Sequence, residues 1–147
     1  MVTTIEPKDD LLLDTTFAIA ITNPNDQYHQ SAQRLVRDIR RVNARLTTTR
    51  AVILEIGNAF SRQRNRSDAV RFLNSLEHDP RVTLLPVTEE IYHRAFALFA
   101  ARPDKEWGLV DCISFIVMTE RGLTKALTAD EHFEQAGFEA LLRTESV

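Results

Sequence analysis

Four carboxylates of this chain stand in or directly after apolar segments, and this placement constrains the fold more than any other feature of the sequence. A carboxylate among apolar residues costs free energy unless it is paired or binds a metal ion. Two of the four follow predicted strands, and two lie inside predicted helices. They are Asp14 and Asp130 after the strands, and Glu55 and Asp111 within the helices. The sequence therefore predicts that these four carboxylates share one pocket.

Predicted strands and helices alternate along the chain, judged by the period of the apolar residues. Strands are predicted at 11–14, 45–49, 81–85 and 125–128, and an edge strand can follow at 140–143. Helices are predicted at 15–21, 27–41, 50–63, 68–77, 88–101 and 109–121, with a helical turn at 130–135. This order is typical of an α/β fold with a mostly parallel sheet and helices on both faces. Ligands bind such sheets at the carboxyl ends of the strands, where Asp14 and Asp130 stand.

The chain length and a few local signals fix the expected boundaries. A chain of 147 residues fits a single domain that can bury a core. Residues 1–10 are polar, and we expect them to form a flexible lead-in. Asp26 and Ser67 are expected to cap the helices that follow them, Ser67 after a loop at 65–67.

The basic residues are unevenly distributed, although the net charge is only −3. Residues 34–71 hold ten arginines against three acids, and 15 of the 18 basic residues of the chain are arginine. The planar arginine fork suits phosphate. A solvated helix surface explains any single arginine, but the whole block favours a phosphate-bearing or acidic partner.

Several classes of protein are disfavoured by the sequence. The longest apolar run is Ala95 to Ala101, far short of the roughly 20 residues that span a bilayer. The N-terminal residues show no signal-peptide pattern. The single cysteine, Cys112, excludes a disulfide framework and is expected to be a buried core residue. A cytoplasmic protein that does not contact membranes is the simplest interpretation.

Each carboxylate also has an ordinary structural explanation. Aspartate between a strand and a helix is a preferred N-cap, which accounts for Asp14 and Asp130 separately. Glu55 shares a helix face with Val52 and Ala59, so an amphipathic edge or a salt bridge to arginine are the ordinary alternatives there. Asp111 has the same two alternatives. The four acids become informative only when they are considered together.

Four carboxylates in one pocket would repel one another, and a hard divalent cation would remove that repulsion. Oxygen ligands favour Mg²⁺ or Mn²⁺ over Zn²⁺, and the four histidines show no zinc-ligand spacing. His132 is expected on the surface of a short helix in preference to the pocket rim. Such a site performs phosphate chemistry with one or two metal ions. Three threonines can orient the carboxylates or serve as ordinary turn residues: Thr15, Thr16 and Thr128.

Four segments in order resemble the motifs of the PIN-domain ribonucleases, and within them the VapC-type toxins of toxin–antitoxin pairs. The resemblance covers the chain from Leu11 to Leu142. The segments are Leu11–Ala18 with Asp26–His29, then Thr49–Phe60, Trp107–Met118 and Leu127–Phe138. No single segment is specific, whereas four in this order and spacing are.

The resemblance implies a three-layer α/β/α fold with a mostly parallel sheet of about five strands. It implies that Asp14, Glu55, Asp111 and Asp130 form the acidic quartet that holds Mg²⁺ or Mn²⁺. It further implies an endoribonuclease that leaves a 5′-phosphate and a 3′-hydroxyl, a cognate VapB-type antitoxin, and a homodimer. One departure is Val110, because the residue before the third acid is often Ser or Thr in this family.

Alternatives remain at this stage. Arg50, Arg62 and Arg64 are candidates for contact with RNA phosphates, although no family motif fixes them there. A PIN-like nuclease that acts on other nucleic acid and a non-catalytic PIN-fold binding module are the competing interpretations. A receiver-like phosphoacceptor domain is disfavoured because Lys125 begins its strand, at the wrong edge of the sheet. The sequence leaves the RNA target open.

Overall fold

The central sheet contains only parallel strands. The structure is a computed structural model that describes residues 4–145. Within that range five strands form one sheet in the spatial order β3-β2-β1-β4-β5. The strands are Asp10–Leu13 (β1), Arg45–Thr49 (β2), Val82–Leu85 (β3), Lys125–Leu127 (β4) and Glu139–Ala140 (β5).

Helices cover both faces of the sheet, as the α/β prediction required. The helices of the described range are Thr15–Thr22 (α1), His29–Val42 (α2), Arg50–Ala59 (α3), Gln63–His78 (α4), Glu89–Ala101 (α5), Leu109–Arg121 (α6), Glu131–Gln135 (α7) and Leu141–Glu145 (α8). The fold class is therefore confirmed. It is a three-layer α/β/α arrangement around a parallel sheet.

Alternate residues of the central strands build two separate cores. Leu11 and Leu13 of β1 pack in a cluster with residues of α1 and α2. Leu12 points to the opposite face and packs with residues of α6, since neighbouring side chains on a strand point to opposite sides. Cys112 belongs to this second cluster and is buried with a free thiol, as expected.

The register of β1 and β4 places the ends of these two strands side by side. Leu13 is paired with Leu127, and the backbone N–H of Asp14 donates to the carbonyl of Leu127 at 3.2 Å. The residues that follow these strands, Asp14 and Thr128, are thus neighbours at the carboxyl edge of the sheet.

The expected break between α3 and α4 was misplaced. Helix α3 ends at Ala59, and the chain is extended at Arg62 before α4 begins at Gln63. Residues 65–67 are therefore helical, and Ser67 lies inside α4 instead of capping it. No glycine or proline marks the true break, and Gln63 and Arg64 are good helix formers.

Two other local expectations were wrong. Asp26 does not cap α2, whose N-cap is Tyr28. Asp26 Oδ1 accepts from the N–H of Tyr28 at 2.8 Å, which is a contact within the turn before α2. The expected edge strand at 140–143 is limited to β5, and α8 begins at Leu141. Leu141 and Leu142 both pack in the first cluster, which adjacent residues of one strand cannot do.

The segment before β1 is held by specific contacts, unlike the flexible lead-in expected for residues 1–10. Ile5 is buried, and Lys125 Nζ donates to the carbonyl of Thr4 at 3.1 Å and to Asp9 Oδ2 at 2.8 Å. Residues 1–3 of that prediction lie outside the described residues. None of the helices in the described part of the chain has the length and apolar character needed to cross a bilayer.

Candidate active site

Asp14 is the most buried of the four predicted carboxylates, with 4% of its surface exposed. It follows β1 and caps α1, accepting from the N–H of Thr16 at 3.5 Å. Its Oδ2 also accepts from the hydroxyls of Thr128 at 2.8 Å and Thr16 at 3.0 Å. Asp14 is thus an N-cap and, at the same time, a carboxylate held by hydroxyls from α1 and from the residue that follows β4.

Asp111 lies in the first turn of α6, where its carboxylate accepts from the backbone of the N-cap residue. Its Oδ2 accepts from the N–H of Gly108 at 3.1 Å. The side chain is 18% exposed, and Phe115 and Met118, which follow at four and seven positions along α6, are buried. Asp111 therefore stands where the apolar face of α6 meets the pocket.

Asp130 follows β4 after two residues and caps the short helix α7. Its Oδ1 accepts from the N–H of His132 at 2.9 Å. The hydroxyl of Thr128 accepts from the N–H of Asp130 at 3.0 Å while it donates to Asp14. Thr128 thereby joins two of the predicted carboxylates through one oxygen.

His132 belongs to the site, which corrects its expected place on the surface of the short helix. Its Nδ1 lies 3.1 Å from Asp111 Oδ2 and 3.2 Å from Asp130 Oδ1. Its side chain is only 22% exposed. The available signal was the Asp-x-His spacing, because an N-cap aspartate brings the ring two residues later back beside its own carboxylate.

Glu55 is exposed, so the prediction that it lies on an apolar helix face was wrong. The buried side of α3 is formed by Val52 and Ile56, whereas Ala59 is exposed beside Glu55. Glu55 is nevertheless brought to the site, because Oε1 accepts from the hydroxyl of Thr15 at 2.7 Å. Thr15 directly follows Asp14.

Burial and mutual repulsion raise the pKa values of two of these acids. Burial raises the pKa of Asp14 to about 6, and the charge of Asp111 adds to the effect against the hydrogen bonds from Thr128 and Thr16. Burial also raises the pKa of Asp111, and the charge of Asp130 raises it further. The hydrogen bonds of Asp111 with the backbone N–H of Gly108 and with the ring of His132 act in the opposite direction and lower this pKa. Closely spaced acids with raised pKa values are typical of functional sites.

The donor set fits a divalent cation. One ligand atom from each of Asp111, Asp130 and His132 can be chosen so that all three lie within 4.8 Å of one another. Within residues 4–145 the ion pairs of Asp111 and Asp130 are both made with His132. No guanidinium in that range therefore offsets their charge, and carboxylate oxygens are the ligands that hard divalent ions prefer.

Val110 replaces the hydroxyl residue that the family often carries, and it packs against an apolar cluster. That cluster contains Ala18 of α1 and Val52 and Ile56 of α3. The side chain therefore joins α6 to the two helices that carry Thr15 and Glu55. It contributes to the position of these helices and provides no polar contact.

The predicted arginines lie apart from the carboxylates. Arg50 is exposed and pairs with Glu77. Arg62 and Arg64 are exposed at the start of α4. Arg64 lines a polar cavity of about 580 Å³ between the ends of α1 and α3. Ala59, one helical turn after Glu55, lines the same cavity. The cavity therefore begins one turn of α3 away from Glu55.

Comparison with known sequences identifies a family over most of the chain. A sequence model described as "PIN domain" matches residues 11–139. The chain is also 27% identical over 128 residues to a protein of Mycobacterium tuberculosis named "23S rRNA-specific endonuclease VapC20". That match covers 87% of this chain and 95% of the relative.

Comparison with solved structures supports the same fold. The crystal structure of Mycobacterium tuberculosis VapC20, described as a sarcin–ricin loop cleaving toxin, matches with a TM-score of 0.78 at 25% identity. The match covers 88% of this chain and 97% of the VapC20 chain. The structure of VapBC2 from Rickettsia felis bound to a promoter DNA fragment matches with a TM-score of 0.65 at 12% identity, over 88% and 96%.

Proposed function

The chain belongs to the PIN domain family, and on this premise we propose that it is a metal-dependent endoribonuclease of the VapC toxin type. The observation that carries the proposal is the meeting of Asp14, Asp111 and Asp130 at one edge of the sheet. A relative named as a 23S rRNA endonuclease matches 87% of the chain. The 147 residues then form a single PIN domain.

Asp14, Asp111 and Asp130 would hold the metal ion, with Glu55 at the outer side of the site. Mg²⁺ or Mn²⁺ is proposed, since oxygen ligands predominate. The ion would supply positive charge to the phosphate and activate water for attack on phosphorus. The support from this chain is the raised pKa of Asp14, whose charge needs such compensation.

Two threonines would fix the orientation of the acids. Thr128 directs Asp14 and is itself tied to the N–H of Asp130. Thr15 directs Glu55, whose exposed carboxylate is free to meet substrate and to take a proton from the attacking water. Such outer contacts tune a metal site without touching the ion.

RNA would approach across the arginine-rich side of the molecule. Arg62 and Arg64 are exposed beyond Glu55 along α3 and α4, so they are proposed to contact phosphates. Arg50 is proposed for the same role more weakly, because its guanidinium is already paired with Glu77. Backbone contacts of this kind position RNA and carry no sequence preference.

A toxin of this type would be blocked by a cognate VapB-type antitoxin in the cytoplasm. We propose this partner from the relative's VapC name. A homodimer is also proposed, and an exposed aromatic row on α5 supports self-association. Tyr92, Phe96 and Phe99 are 39%, 48% and 43% exposed and lie ring against ring.

The test is cleavage of total RNA by the purified protein, free of antitoxin, with Mg²⁺ or Mn²⁺ and with EDTA. We expect discrete cuts that EDTA abolishes, with a 5′-phosphate at each cut. A sarcin–ricin loop oligonucleotide is the first defined substrate to include, because the named relative acts there. Cleavage of DNA and not RNA would favour the other-nuclease alternative. Binding of RNA without cleavage in any metal would favour a non-catalytic module.

A further inference from the structure

One ring nitrogen of the site faces two carboxylate oxygens at nearly equal distances. His132 Nδ1 lies 3.1 Å from Asp111 Oδ2 and 3.2 Å from Asp130 Oδ1. The N–H of His132 donates to the same Oδ1 of Asp130 at 2.9 Å, which fixes the backbone of this residue beside Asp130. The position of α6 brings Asp111 to the same ring nitrogen.

This spacing suits a shared cation as well as a shared hydrogen. A nitrogen lone pair and two carboxylate oxygens repel one another unless a hydrogen or a cation lies between them. Neighbouring ligands of an octahedral Mg²⁺ at about 2.1 Å lie about 3.0 Å apart, and slightly farther apart around a larger ion. The two distances at His132 match such neighbouring positions.

We propose that Nδ1 of His132 is a ligand of the divalent ion, together with Asp111 and Asp130, and that the site therefore prefers Mn²⁺ to Mg²⁺. This inference rests on the proposed metal-dependent nuclease and adds a nitrogen to its acidic quartet. Mg²⁺ is a hard ion that favours oxygen, whereas first-row transition ions accept imidazole readily. A ligand set with one imidazole thus binds Mn²⁺ more tightly than Mg²⁺, whereas carboxylates alone bind the two ions with more similar affinities.

The contacts distinguish His132 from the exposed acid of the site. Asp111 and Asp130 offer the oxygens that face His132, and Asp14 accepts from the hydroxyls of Thr16 and Thr128. Glu55 is exposed and is held by Thr15. The histidine therefore adds its nitrogen beside the partly buried acids and leaves the exposed Glu55 for substrate.

The test is pulsed EPR on the Mn²⁺-loaded protein, which detects coupling of the ion to a directly bound nitrogen. We expect a ¹⁴N coupling in the wild-type protein that changes on labelling with ¹⁵N-histidine and disappears in His132→Asn. That variant keeps a polar side chain but has no ring nitrogen. His93→Asn is the matched control, because His93 is 70% exposed on α5. The ¹⁴N coupling in this variant should equal that of the wild-type protein.

Metal selectivity gives a second readout that does not depend on activity. Mn²⁺ affinity and competition by Mg²⁺ are measured by the EPR signal of the free ion. We expect His132→Asn to reduce the preference for Mn²⁺ by at least about tenfold, the scale found when contacts of metal ligands are removed. Unfolding temperatures in EDTA check that the variant is folded.

The outcomes separate this inference from the proposed function. Bound Mn²⁺ without a histidine coupling overturns the nitrogen ligand, and an unchanged preference in folded His132→Asn overturns the selectivity, while RNA cleavage by the wild type persists in both cases. A wild-type protein that neither binds Mn²⁺ nor cuts RNA overturns both. A histidine coupling lost only in His132→Asn, with the selectivity change, supports the assignment.

Discussion

The hydroxyl of Thr128 donates to Asp14 Oδ2 at 2.8 Å across 114 positions of the chain. The same oxygen accepts from the N–H of Asp130 at 3.0 Å. One buried threonine at the end of β4 thus positions the carboxylate at the end of β1 and the one that begins α7. The geometry of the site depends on this link between two neighbouring parallel strands.

Removal of that hydroxyl is expected to weaken both the fold and the site. Thr128→Val removes one donor from the buried Asp14 carboxylate, which keeps Thr16, and leaves the partly buried N–H of Asp130 without its acceptor. The cost is about 1–3 kcal/mol. Metal affinity should fall about 10–100-fold, as for other contacts that orient ligands. Denaturant unfolding and metal titration measure the two effects. Thr128→Ser keeps the hydroxyl, and a Ser variant as impaired as Val would contradict this role.

The contribution of Asp14 to the stability of the metal-free protein should fall as the pH rises. The pKa of Asp14 goes from the ordinary 3.8 to about 6 on folding, so the folded state holds the proton more tightly. The resulting stability is present below the unfolded pKa and is lost as the pH rises through the folded value. The loss corresponds to about 3 kcal/mol, at 1.36 kcal/mol for each unit of pKa.

Asp14→Asn removes this titration and should unfold at a higher temperature than the wild type in EDTA at about pH 8. The difference should nearly vanish at about pH 3, below the unfolded pKa of 3.8, where the carboxyl is protonated in both the folded and the unfolded state. Thermal unfolding at both pH values provides the measurement. A gap between the two proteins that is the same at both pH values would mean that burial of the Asp14 charge is not its cause.

Phe133 anchors α7 beneath the site, and its truncation should destabilise the whole domain. The ring is completely buried and meets Phe115 edge to face, with centroids 5.0 Å apart. Phe133→Ala should cost about 3–5 kcal/mol. Val70→Ala is the control, since Val70 is 52% exposed on α4 and should change the free energy of unfolding little. Urea midpoints of the two variants would decide, and equal midpoints would exclude an anchoring role.

The exposed arginines should contribute to RNA affinity through phosphate charge. Arg62→Ala and Arg64→Ala are each expected to weaken RNA binding and to lower the slope of affinity against salt by about one. Arg50→Ala should have a smaller effect, because its guanidinium is paired with Glu77. Arg94→Ala, which breaks a pair with Glu120 on the other face, is the control. A salt slope that none of the substitutions changes would place RNA elsewhere.

The parallel sheet and the placing of Asp14, Asp111 and Asp130 were predictable because both follow from local pattern. Buried strand ends at Leu13 and Leu127 put Asp14 and Asp130 on the same edge once the sheet is parallel. Asp111 was identified by a charge inside an apolar segment. Periodicity carries this information without any knowledge of packing.

What could not be predicted depends on contacts between distant residues. The exposure of Glu55 and its bond to Thr15 arise from how α1 and α3 pack. The inward direction of His132 depends on the position of α6, which brings Asp111 to it. The early start of α4 at Gln63 lacks a glycine or proline signal. Such features are set by tertiary structure, which overrides local preference.

The most direct test of the central claim is the rate of RNA cleavage in Mn²⁺ by the wild type, Asp14→Asn and Asp111→Asn, side by side on one defined RNA. Asp104→Asn is the matched control, because Asp104 lies on the surface paired with Arg102. The account predicts that both site variants lose at least about a hundredfold in rate, on the scale of a lost electrostatic contact in the transition state, while Asp104→Asn retains the wild-type rate. Cleavage that persists in Asp14→Asn and Asp111→Asn would contradict the account.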